Sequence, residues 1–119
     1  MIDYTELPED RIVVMRVSGL VSADEMEGFL KRLQAFIDQH GDIKVLKIVH
    51  DFRGVDPRVF FRGLWFDLRN WKHFTHVASV GDKEWQRQIA DFINPALKME
   101  LKAFAPEEET AAMEWLRSV

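Results

Sequence analysis

The sequence predicts an α/β fold, a largely parallel or mixed sheet of four to five strands with covering helices in a (βα)4 arrangement. Two observations predict it. Short β-branched runs alternate along the chain with stretches of helical periodicity, and each helical stretch opens on residues that cap helices. The 119 residues fit one domain, taken here as 1–119. A composition 47% hydrophobic and 30% charged supplies a real core on a water-facing exterior.

The elements follow in order. Ile2 to Leu7 reads as a short edge strand. Arg11-Ile12-Val13-Val14-Met15-Arg16-Val17 is β-branched and stops at Ser18-Gly19, hence a strand. Ser22-Ala23-Asp24-Glu25 is a capping-box sequence. Met26, Phe29, Leu30, Leu33, Phe36 and Ile37 then recur at helical spacing, and Gly41 stands where a helix-ending glycine belongs. Ile43 to Val49 is a buried strand with His50-Asp51 at its carboxyl end. Asp56-Pro57 opens a second helix that runs to about Phe74. Val77 to Val80 is a strand, Gly81 a turn, and Asp82 the cap of a helix through Trp85, Ile89, Phe92 and Ile93, which Asn94-Pro95 stops. Met99 to Phe104 is the last strand. Pro106 and three glutamates start a final helix anchored by Trp115 and Leu116.

Several function classes are excluded or disfavoured by residue content. The chain has no cysteine, so disulfides, thiolate metal sites and cysteine nucleophiles are absent, which fits a reducing cytosol. A formal net charge of −4 gives no global attraction to nucleic acid. The N-terminus does not read as a secretory signal, and no uncharged stretch is long enough to span a bilayer. The four histidines lack the spacing of a metal site, no phosphate loop accompanies Gly81, and no cofactor is implied.

Residues 57–76 stand apart. They hold six of the fourteen Phe, Trp and Tyr residues, where about two or three would fall by length. Arg58, Arg62, Arg69 and Lys72 against Asp67 give the segment a net +3, leaving −7 for the remainder. On a wheel at 100° per residue, Phe60, Leu64, Leu68, Trp71 and Phe74 share one stripe with Phe61 at its edge. That stripe is expected to face the sheet. Trp65 and Phe66 are left on the outer side among Arg58, Arg62, Arg69, Lys72 and His73. Such a helix suits an anionic membrane interface or a protein partner. Burial of the two rings under a neighbouring helix, or in a homodimer, is the plainer alternative. Asp67 points into the apolar stripe, where an ion pair or a hydrogen bond to a Trp N–H is expected.

The chain resembles the SpoIIAA-like branch of the STAS (anti-sigma-factor-antagonist) superfamily. The resemblance rests on Lys44 to Asp51 with Phe52 and Arg53, on Leu64-Trp65-Phe66-Asp67-Leu68-Arg69, and on His73-Phe74. It continues in Val80-Gly81-Asp82-Lys83-Glu84-Trp85 and Asn94-Pro95. It implies a STAS-like mixed sheet, a non-enzymatic regulatory role, and binding of apolar ligands or membranes through mobile amphipathic helices. Phosphoswitch members carry Asp-Ser or Asp-Thr and then Gly where the second helix opens. Val55-Asp56-Pro57-Arg58 offers no hydroxyl there, so the resemblance stops short of a phosphoswitch.

The sequence reading is therefore a cytoplasmic binding module. Phe60, Phe61, Leu64, Trp65, Phe66, Trp71, Trp85 and Phe92 are its expected ligand or membrane contacts. Arg58, Arg62, Arg69 and Lys72 are its expected contacts with an anionic surface. A protein interface or homodimer on the same helix is the second reading. A small enzyme using His50, Asp51, Asp82 or Lys83 at the carboxyl ends of the strands is the third.

Overall fold

The structure, a computed structural model, describes residues 1–55, 69–84 and 99–119, with the side chains of Val55 and Trp71 outside that description. Its centre is a five-stranded sheet in the order β1-β2-β3-β4-β5. The strands are β1 (Ile2–Leu7), β2 (Ile12–Val21), β3 (Ile43–Val55), β4 (Phe74–Val80) and β5 (Glu100–Phe104). β1 is antiparallel to β2, and every later pairing is parallel. The sheet is thus mixed, as expected.

Helix α1 (Ala23–His40) covers one face. Its amino end forms because Ser22 and Glu25 satisfy each other's orphan amides: the Glu25 N–H donates to Ser22 Oγ at 3.2 Å, and the Ser22 N–H donates to Glu25 Oε2 at 3.0 Å. Its carboxyl end closes on Gly41, at φ 79°, whose N–H donates to the Ile37 carbonyl at 2.7 Å. Phe29, Leu33, Phe36 and Ile37 meet Val13, Met15, Val17, Ile43, Val45 and Phe74 from the sheet.

Alternation along the strands sends the intervening residues to the other face. There Ile12, Leu46, Ile48, Ala78, Val80 and Phe104 pack on Ala112 and Leu116 of helix α2 (Glu109–Ser118). Pro106–Glu108 makes a 3-10 turn before α2, so the helix starts three residues later than Pro106 suggested. β4 changes face once, at Thr75, where the register shifts between Ile43↔Phe74 and Lys44↔His76.

Three sequence boundaries are corrected. Ser18-Gly19 does not end β2. Gly19, at φ 60°, absorbs a register shift and the strand continues to Val21. β3 does not stop at Val49 but runs through His50-Asp51 to Val55, with Asp51 at φ 48° and Gly54 at φ 128°. Phe74 is not the last residue of a helix. Arg69 and Asn70 are helical, Trp71–His73 is a 3-10 turn, and Phe74 opens β4, buried against α1. The expected helices through 57–68 and 85–93, and their Asn94-Pro95 stop, lie outside the described residues. Lys83 and Glu84 are helical directly after Asp82, consistent with a cap there.

Candidate ligand and membrane contact site

β1 pairs with β2 only as far as Val17, and β4 pairs with β3 only as far as Ile48. Beyond that level β2 and β3 continue together as a narrow parallel ribbon, Ser18–Val21 against His50–Val55. The pairs run Ser18↔His50, Gly19↔Phe52, Leu20↔Gly54 and Val21↔Val55, so Asp51 and Arg53 are extra residues bulged out of the ladder. Glycine is required at Gly54, because φ 128° is closed to side chains. Space is not the constraint, since a Cβ there would stand at an ordinary contact distance of 3.9 Å from Leu20 Cδ2.

The ribbon exposes two large apolar side chains among charged ones, while Val21 is buried in the core on the α1 side. Leu20 is 71% exposed and Phe52 36%, and Arg53 is exposed beside them. Met1, 56% exposed, lies alongside: the Ser18 N–H donates to its carbonyl at 2.9 Å. Three of the four exposed large hydrophobic residues among the described ones thus gather at this end of the sheet. Parallel strands are ordinarily covered on both faces, so such exposure is unusual for them. Sequence reasoning missed this patch because Ser18-Gly19 looked like a terminator. The available signal was Leu20-Val21 directly after it.

The ribbon leads from Val55 into the aromatic, basic segment. Of the expected contacts, Arg58, Phe60, Phe61, Arg62, Leu64, Trp65, Phe66, Trp85 and Phe92 lie outside the described residues, as does Asp67. Arg69 and Lys72 are exposed, as the wheel requires. Trp71 lies in the 3-10 turn rather than on a continuing helix. The trailing end of the segment is pinned: Asn70 and Phe74 are buried, and His73 Nδ1 lies 3.4 Å from Asp42 Oδ1.

The residues considered for catalysis do not converge on one cleft. His50 and Asp51 sit on the ribbon, paired to each other at 3.2 Å, with side chains about four-fifths exposed. Asp82 and Lys83 instead line a shallow cleft of about 370 Å³ with Gly81, Ala105, Glu107 and Glu108 at the carboxyl ends of β4 and β5. Glu108 is already occupied there, accepting from the Ala105 N–H at 2.9 Å. Among the described strands the order never reverses, so they form no switch point of the kind at which α/β folds place ligands. Among the described residues, no three His, Asp or Glu side chains are grouped to hold a metal ion.

A mixed five-stranded sheet with α1 on one face and α2 on the other defines a STAS-type α/β module. The SpoIIAA-like family model matches residues 12–117, and the chain belongs to that family. A crystal structure of an uncharacterized protein from Shewanella loihica PV-4, described as having a SpoIIAA-like fold, superposes with a TM-score of 0.75 over 98% of this chain and 92% of that one. The two are 21% identical, so the likeness speaks to fold. No curated protein matches the chain in sequence. Among the described residues, no helix is long and apolar enough to cross a membrane.

Proposed function

We propose that this protein is a non-enzymatic binding module that docks on an anionic membrane surface through residues 57–74, at the cytoplasmic side. The observation that carries the reading is continuity. A strand ribbon with exposed Leu20 and Phe52 leads straight into a segment holding six aromatics and a net +3 charge, and the segment's trailing cations, Arg69 and Lys72, are exposed. Trp65 and Phe66 enter the headgroup region while Arg58, Arg62, Arg69 and Lys72 meet lipid phosphates. Each such cation contributes about 1 kcal/mol near an anionic surface, less as salt rises. Four of them with two rings suffice for reversible attachment only.

Co-sedimentation with phosphatidylglycerol vesicles at low salt tests the proposal, with phosphatidylcholine vesicles as the neutral control. Binding to the anionic vesicles that weakens with salt is expected. Failure to bind them overturns it. Saturable binding of a soluble fatty acid without vesicle binding would move the same residues to an apolar-ligand role. A dimer that Trp65→Ala dissociates, seen by light scattering, would make them a protein interface.

A further inference from the structure

We draw no further inference here: the strongest candidate, the shallow cleft at the carboxyl ends of β4 and β5 that Asp82, Lys83, Glu107 and Glu108 line, carries nothing because it is a cluster of acidic side chains around one lysine at a helix start, and among the described residues no buried polar side-chain atom lacks a hydrogen-bond partner to mark a ligand there.

Discussion

The Lys44 ammonium, reaching from the middle of the sheet, donates to the Leu116 carbonyl at 2.8 Å and to the Val119 carbonyl, holding the carboxyl end of α2. Lys44 stands on β3 between Ile43 and Val45, both of which face α1. Its own side chain therefore emerges on the α2 face, where the last carbonyls of that helix have no intrahelical donor. A cation there answers both the unpaired oxygens and the negative end of the helix dipole. The other end of α2 is tied by Arg16, whose Nη1 donates to Glu109 Oε2 at 3.2 Å with a second contact to Oε1. The Glu109 hydrogen bond holds the Arg16 guanidinium above its ordinary range.

Lys44→Met is expected to lower unfolding free energy by about 1–2 kcal/mol, since one part-buried charged hydrogen bond and its dipole term are lost while the stem volume is kept. Chemical denaturation at neutral pH measures it. Arg16→Met, at an exposed pair, is expected to cost well under 1 kcal/mol. Equal losses for the two would contradict the idea that burial sets the difference.

The ribbon glycines separate strain from space. Gly54 sits at φ 128°, a region that side chains do not enter, so Gly54→Ala is expected to cost about 2–3 kcal/mol. Gly19 sits at φ 60° with open space where a Cβ would go, so Gly19→Ala is expected to cost only about 1 kcal/mol. Thermal unfolding of both variants checks the ranking. An indifferent Gly54→Ala would mean that the ribbon relaxes to another register.

How much of this was legible is clearest along β2 and β3. The alternation of Ile12, Val13, Val14, Met15 and Val17 announces a strand buried on two faces, and the Ser22–Glu25 box with Gly41 fixes both ends of α1, because these signals are local. The ends of β2 and β3 were not legible. Gly19 and Gly54 have the chemistry of turns, yet here they carry bulges, because pairing between two strands distant in sequence holds them extended. Phe74 fell on the helical wheel by spacing, but one 3-10 turn at Trp71–His73 turned the chain into β4 before it. Arg69 and Lys72 were placed outward correctly, since charge resists burial whatever the backbone does.

The capping box gives a defined acid response. Hydrogen bonding from the Ser22 amide, foremost, and the nearby terminal ammonium hold the Glu25 carboxyl below its ordinary range. In the unfolded chain the group titrates at about 4 to 4.5. Its contribution to stability is therefore complete above that range and disappears as pH falls through the lower, folded value. Melting temperatures recorded from neutral pH into the acid range should show wild type losing more than Glu25→Gln. The variant keeps an acceptor for the amide but has no charge to lose. Parallel curves would remove the charge from the account of this cap.

The exposed cations at the end of the aromatic segment allow a test of the membrane reading that leaves the core untouched. Arg69 and Lys72 face water, whereas Asn70 and Phe74 beside them are buried, so Arg69→Gln with Lys72→Gln should leave thermal stability unchanged. On anionic vesicles at low salt, two cations at about 1 kcal/mol each correspond to a loss of about thirtyfold in partitioning. That gap should narrow as salt rises, because screening weakens the wild-type contacts and leaves little for the variant to lose. A gap that persists at high salt would show that these residues act by shape rather than charge. No gap at low salt would mean that the surface carrying Arg69 and Lys72 does not meet the membrane.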